Sequence, residues 1–415
     1  VSIPEVPDIA GASTPRAWPR EARALQAATA RVAAIAAQHA DEVDRAGRFP
    51  EEAISALREE GLLGALIPAQ LGGLGFGIGR VAATCCTLGQ ACAATAMIFA
   101  MHQTQVATLV RHAGGHPWHE GLLRHIATNA RLVASVTSEV GVGGKLRVSR
   151  CAIEHETDGI WVEKHSTAIS YGSYADVYLL TARRSRDSMA NDQVLLALDR
   201  GDITLERTGV WDALGMRGTC TDAFVLRARA TEEQVLPAPF DVIASQTMVP
   251  VSHLLWASLW LGIAIEAVQR ARTCLRTQLR DGGLRDGAAG SAGEWALPAG
   301  APRLAAAVEQ VSLLQARVSE AVTKFDTEAW LGGETPELQA ADLAALKTSV
   351  SEGCLAVVQQ ALLAGGFATY QNSGKVSLSR HLRDLQSAPL MIHNDNIRNQ
   401  AARLLLAQKP ALGLI

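Results

Sequence analysis

The chain reads as an α+β protein in three blocks: helical over 1–130, β-rich over 131–240 and helical again over 241–415. Three observations predict this order. Apolar residues recur at helical spacing from Glu21, the pattern switches at Arg131 to short apolar segments separated by turn residues, and helical spacing resumes near Asp241. At 415 residues, 48% hydrophobic and 19% charged, the chain has core material for two or three packed units. A net charge of −3 leaves no basic footprint for nucleic acid. The longest apolar runs, such as Leu254–Ile265, are too short to cross a bilayer, and no signal pattern opens the chain. A cytoplasmic protein without nucleic-acid or membrane partners is expected.

Pro4, Pro7 and Pro15 lie among small residues and predict a loosely held arm over 1–15. Glu21–Ala46 carries Leu25, Ala28, Val32, Ile35 and Ala36 on one stripe, which predicts a long amphipathic helix. Phe49-Pro50-Glu51-Glu52 starts a second, because proline suits the first turn and acids suit the positive end of the dipole; Gly61 supplies its left-handed stop. Val81–Ala113 is helical and apolar, interrupted at Met101-His102-Gln103. Strands are predicted at Leu132–Thr137, Gly159–Val162, Val177–Ala182, Val194–Leu198, Ile203–Arg207 and Asp222–Arg229, forming a small antiparallel barrel or sandwich. The later helices are broken by Arg280–Pro302, a Gly- and Ala-rich stretch that predicts a surface loop. Seven scattered cysteines form no C-x-x-C pair and predict reduced, buried thiols and no metal site.

The stretch that points to chemistry is Val136-Thr137-Ser138-Glu139-Val140-Gly141-Val142-Gly143-Gly144. Hydroxyls at a strand end can hydrogen-bond a flat heteroaromatic ligand, and glycines let it approach the backbone. The segment resembles the flavin-contacting signature of the acyl-CoA dehydrogenase family, usually Thr-Glu-Pro-Gly-x-Gly-Ser-Asp. The phrase Gly61-Leu62-Leu63-Gly64-Ala65-Leu66-Ile67-Pro68 with Gly72-Gly73-Leu74-Gly75 resembles that family's amino-terminal domain, and Leu214-Gly215-Met216-Arg217-Gly218-Thr219 matches its Gly-x-Arg-Gly-(Ser/Thr) phrase. The glycines of Gly75-Phe76-Gly77-Ile78-Gly79 are not a dinucleotide fingerprint, since no strand precedes them and no ribose-binding acid follows.

The resemblance implies an amino-terminal helical domain, a middle antiparallel β-barrel and a carboxy-terminal four-helix bundle, binding FAD. It puts Ser138, with Thr137 beside it, at the flavin-contacting threonine, Gly143 near the flavin and Gly144 near the substrate. It puts Ser170 near N5, in Ala168-Ile169-Ser170 where relatives have Trp-Ile-Thr. Gln360, Gly365 and Phe367 follow the spacing of a segment that binds the flavin of a neighbouring subunit, which implies a homodimer or homotetramer. Arg383-Asp384 corresponds to the closing Arg-Asp, and Asn394 and Asn396 to flavin contacts. The family's Arg-Lys-x-Phe-Gly is absent, with Leu279-Arg280-Asp281-Gly282-Gly283 in its place.

Dehydrogenation of an acyl thioester needs a carboxylate to take the α-proton while hydride leaves for the flavin. Counting from Arg383-Asp384, the family's glutamate falls at Ile392; a second known location falls at Ser252, and an arginine that holds coenzyme A falls at His253. Three readings follow. The chain desaturates an acyl thioester, on coenzyme A or a carrier protein, with His393, Asp395 or His102 as relocated base. Alternatively it is a reduced-flavin-dependent monooxygenase of the same group, supplied by a flavin reductase, with a histidine near the ring. Third, it is a non-catalytic flavin-binding module. The overall resemblance lies nearer the dehydrogenases; the electron acceptor is unassigned.

Overall fold

The structure is a computed structural model that describes residues 21–157, 159–285, 297–330 and 337–407. The expected arm at 1–15 lies outside the described residues, as does most of the expected loop between Arg280 and Pro302.

Helices come first: α1 (Glu21–Ala46), α2 (Glu51–Glu59), α3 (Ile78–Ala91), α4 (Ala93–His112) and α5 (Pro117–Thr128). On α1 the stripe Val32, Ala36, Ala40 and Val43 is buried, the spacing that an amphipathic helix needs to cover a core. Pro50 stands just before α2, and Gly61 follows it at φ +67°. The expected single helix Val81–Ala113 is two. The break is at Cys92, whose backbone is extended (φ −148°, ψ 112°), while Met101-His102-Gln103 runs on inside α4.

Among the described residues seven strands follow: β1 (Val133–Val136), β2 (Glu154–Glu156), β3 (Gly159–Ile169), β4 (Val177–Arg183), β5 (Gln193–Asp199), β6 (Ile203–Gly209) and β7 (Asp222–Ala230). They form two sheets, β1-β4-β5 and β2-β3-β7-β6, rather than a closed antiparallel barrel among the described residues. β1 runs parallel to β4 because the chain crosses through β2 and β3 before returning beside it. The short β2, Glu-His-Glu, is an exposed edge with no apolar signal. β3 extends through Ile169, and its register against β7 shifts between Ser166 and Ile169, a bulge.

The remaining helices are α6 (Phe240–Ile243), α7 (Val249–Arg285), α8 (Ala301–Lys324), α9 (Glu337–Gly365), α10 (Phe367–Tyr370), α11 (Ser379–Gln386) and α12 (Asn394–Ala407). A π-helical turn, Ala244–Met248, joins α6 to α7, so the apolar run at Leu254–Ile265 belongs to a far longer helix. Phe240–Asp281 is the one helix among the described residues long and apolar enough to cross a membrane, and 89% of its apolar window is buried inside the fold. Arg280–Arg285, expected as loop, is the end of α7. α7 packs against α3, α4, α8 and α9; one large apolar core runs through helices and sheets, and a smaller cluster of Ala36, Ala40, Val43, Ala53, Ala91, Cys92 and Ala94 lies under α1.

Candidate functional site

At the end of β1, the hydroxyls of Ser138 and Ser166 meet at the bulge in β3. Ser138 Oγ donates to the Ala168 carbonyl (2.7 Å), accepts from the Ala168 N–H (3.1 Å) and lies 2.6 Å from Ser166 Oγ. A hydroxyl has one proton and two lone pairs, so these contacts fill its capacity. Ser138, expected at a flavin-contacting position, spends its hydroxyl on the bulge. Thr137 is half-buried and makes only a long contact with Ser135 (3.4 Å), so its hydroxyl retains capacity. Glu139 is buried under the following loop, accepting from the Arg150 and Cys151 N–H groups and the Ser149 hydroxyl, with the buried Lys164 ammonium 3.5 Å away. The loop it anchors presents Gly143 (φ +62°) and Gly144 (φ +72°), exposed and with nothing within 4 Å of an added Cβ.

Ser170 begins a relay of side chains. Its hydroxyl lies 2.9 Å from Thr221 Oγ1, which lies 2.7 Å from Thr219 Oγ1, which donates to the Met216 carbonyl (2.8 Å). The Met216 N–H in turn donates to Asp384 Oδ1 on α11 (2.7 Å). Arg383 pairs with Asp44 of α1 and donates to the Leu214 carbonyl (3.0 Å), and Arg217 donates to the Asp44 carbonyl (2.8 Å). At Gly215 a Cβ would sit 2.1 Å from the Arg383 carbonyl oxygen, so only glycine fits. The two family-like phrases, around Arg217 and Arg383, thus meet as a clasp between the first helix, the β region and the last helices. Burial pushes the Asp384 carboxyl up to about 6.

α11 leads directly into the turn that carries Ile392 and His393. Ile392 has φ +48°, a left-handed conformation that β-branched residues rarely adopt. His393 is exposed; its Nδ1 lies 3.3 Å from the Asp395 N–H and 3.6 Å from Asp395 Oδ2. Asn394, expected to face flavin, points inward. It accepts from Lys347 Nζ (2.6 Å) and donates to Ser351 Oγ (3.0 Å) and Glu352 Oε1 (2.9 Å), so its amide is committed inside the fold. Asn396 is exposed on α12.

Lys347 was missed by the sequence reading, although it is the only basic residue in the apolar helix α9. Its ammonium also lies 5.8 Å from the Trp260 ring. Trp260, Trp256 and His253 share a face of α7, are buried, and carry ring nitrogens without hydrogen-bond partners. The Leu343 carbonyl faces His253 without completing a bond of normal geometry. Burial, aided by the Lys347 charge, lowers the His253 imidazole to about 4, so it is neutral at physiological pH. Ser252 spends its hydroxyl on the Val249 carbonyl (2.9 Å).

Three further expected residues, His102, Gln360 and Gly365, are bonded within other parts of the fold. His102 is fully buried: Nε2 donates to the Leu63 carbonyl (2.8 Å) and Nδ1 accepts from the Val133 N–H (3.0 Å), while burial lowers it to about 4. It ties α4 to β1, with no nitrogen left to act as a base. Gln360 accepts from Arg303 of α8 (2.9 Å), and the Gly365 carbonyl accepts from the Cys274 thiol (3.5 Å), both within one chain. Beyond Gly365, Phe367 and Tyr370 are 84% and 65% exposed on α10.

Residues 19–130 match the family described as acyl-CoA dehydrogenase, N-terminal domain. The chain is 27% identical over 203 residues to a putative acyl-CoA dehydrogenase of Bacillus subtilis, YdbM, covering 48% of this chain and 52% of that protein. It is 30% identical over 243 residues to L-evernosamine nitrososynthase of a Micromonospora species (55% and 56% covered) and 28% identical over 258 residues to dibenzothiophene monooxygenase of Rhodococcus erythropolis (58% and 59%). These alignments span about half the length of the curated relatives. The fold is similar to that of FMN-bound TdsC from Paenibacillus sp. A11-2, with a TM-score of 0.78 at 21% identity over 94% of this chain and 99% of that one. The chain therefore resembles the acyl-CoA dehydrogenase-like flavoprotein superfamily, monooxygenases included, in its amino-terminal domain, its alignments and its fold.

Proposed function

We propose that this chain is a flavin-dependent oxidoreductase that works as a reduced-flavin monooxygenase on a small molecule bearing an oxidisable nitrogen or sulfur. One observation carries the choice over acyl-thioester dehydrogenation: neither position that should hold the carboxylate base has one. Ile392 cannot take a proton, Ser252 is bonded to its own helix, and His102 has both ring nitrogens committed. Two alignments longer than that to the putative dehydrogenase support this, since they run to proteins named for nitroso synthesis and thiophene oxygenation.

The donor set fits a flavin at its ring end. Thr137 and Ser170 offer hydroxyls just beyond the ends of β1 and β3, the small Ala168 stands where the resemblance expects an aromatic side chain, and the open Gly143–Gly144 turn admits close approach of a planar ligand and its substrate. We assign FAD, with FMN the alternative that release and mass measurement of the flavin would separate. When bound, the reduced flavin supplies the electrons that dioxygen consumes. The chain's own part is to place groups around that chemistry. Ser170, backed by the Thr221–Thr219 relay, would orient the ring, and His393 would donate a hydrogen bond to oxygen at the reacting centre. Asp395 steadies the other side of that imidazole.

The exposed Phe367 and Tyr370, next to the Gln360–Gly365 segment, support a homodimer or homotetramer in which this face is covered. A separate flavin reductase would be the electron source. The three-block division at 130 and 240 remains part of this reading. The test supplies reduced flavin from a reductase with dibenzothiophene or an aminosugar nucleotide under labelled dioxygen, and one labelled oxygen atom in the product is expected. Acyl-thioester desaturation is the second reading, favoured by the match over 19–130. It requires the exposed His393 to serve as the base in place of the missing carboxylate.

A further inference from the structure

The ammonium of Lys347 is completely buried and, among the described residues, no carboxylate is paired with it. Its bonds are to neutral oxygens of the turn after α11: the Ile392 carbonyl (2.9 Å) and the Asn394 side-chain carbonyl (2.6 Å). The nearest acid, Glu352, reaches it only through Asn394 and is itself paired with Arg398. The facing stripe of α7 offers ring faces and unpartnered ring nitrogens at His253, Trp256 and Trp260. If the turn moved away, the charge would lose its oxygen partners in a place that water does not reach, so turn position and charge burial are coupled. The turn has a reason to move, because Ile392 is a β-branched residue held at φ +48°.

We propose that Lys347 is a positioning residue: by tethering the Ile392 carbonyl and the Asn394 carboxamide it holds the strained turn between α11 and α12 in the one shape that sets His393 against Asp395 at the reacting centre. The tether itself is independent of any ligand; its role in the reaction rests on the assignment of His393 under Proposed function. A lysine suits the task because a four-carbon stem spans from a buried helix to the turn and its three protons serve two oxygens and one aromatic face.

The test uses the full chain with and without flavin and three variants: Lys347→Met, Ile392→Gly and the two combined. Hydrogen exchange of the peptide covering 387–397, read by mass spectrometry, is expected to speed at least tenfold in Lys347→Met with the rest of α9 unchanged. Peroxide release on admitting oxygen to dithionite-reduced, flavin-loaded protein is expected to rise at least fivefold. Ile392→Gly added to Lys347→Met reverses most of both increases, because glycine adopts the left-handed conformation without strain. A purely structural lysine would instead lower the melting temperature and loosen exchange throughout α9, with no recovery by glycine, and that result overturns the proposal. Faster exchange at the turn with unaltered peroxide release also overturns it, since the turn would then lie away from the reaction. If Lys347→Met does not fold, Asn394→Ala removes one tether and is read the same way. A protein that takes up no flavin refutes the functional reading, and exchange at 387–397 still decides whether the tether exists.

Discussion

Ser138→Ala separates two roles for the residue at the centre of the family-like signature. If Ser138 holds the β3 bulge, its loss strips three contacts from the flavin-free protein: the bonds to the Ala168 carbonyl and N–H and the 2.6 Å contact with Ser166. Ser166 retains a weaker bond of its own to the Ala168 carbonyl at 3.3 Å, so that oxygen keeps a partner while the Ala168 N–H loses this one. Two net hydrogen bonds at about 1 kcal/mol each give a loss of about 2 kcal/mol, roughly a thirtyfold shift in the folding equilibrium. Urea unfolding of flavin-free protein measures it. Flavin titration of the same variant should show weakening as well, because the bulge aims Ser170 and leaves space at Ala168. If flavin-free stability is unchanged while flavin affinity falls, Ser138 touches the flavin directly and the bulge argument is wrong.

Gly215→Ala should cost about 3 kcal/mol in thermal unfolding, because its Cβ would meet the Arg383 carbonyl oxygen at 2.1 Å and two backbones would have to part; wild-type stability would show that the clasp is loose. The buried neutral His102, lowered from 6.5 to about 4, binds fewer protons folded than unfolded. Its contribution is therefore complete above pH 6.5 and is lost as pH falls towards 4, on the order of 3 kcal/mol. His102→Gln, which keeps an uncharged donor and acceptor, should flatten that part of the acid slope in urea midpoints at pH 7 and 5. Phe367→Ser with Tyr370→Ser should shift sedimentation towards the monomer; an unchanged oligomer would place the subunit interface elsewhere.

Most of the fold was legible because burial leaves a period in the sequence. The α1 bounds and the cores of six strands follow from spacing alone, since 3.6- and 2-residue repeats report which side chains face inward. Those repeats carry no information on which strand sits beside which, so the parallel β1–β4 pair and the open sheets were invisible. β2, with no apolar residue, had nothing to report. The break at Cys92 was missed because an apolar sequence on both sides masks a change of direction. Within the site, residue types were readable and their commitments were not: Ser138, Asn394 and His102 have suitable chemistry, but it is spent on Ala168, on Lys347 and Glu352, and on Leu63 and Val133. Lys347 did leave a signal, a lone cation in an apolar helix, which means burial with a specific partner or a place at a site.

The most direct measurement is an anaerobic absorption titration of the flavin-loaded protein with short, long and branched acyl-CoA thioesters. With no carboxylate at Ile392 or Ser252 and both His102 ring nitrogens committed, the flavin should stay oxidised throughout the series and bleach only when a reductase or dithionite is added. Stoichiometric bleaching by any one of those thioesters alone would mean that the chain removes an α-proton after all, and oxygenation would no longer describe it.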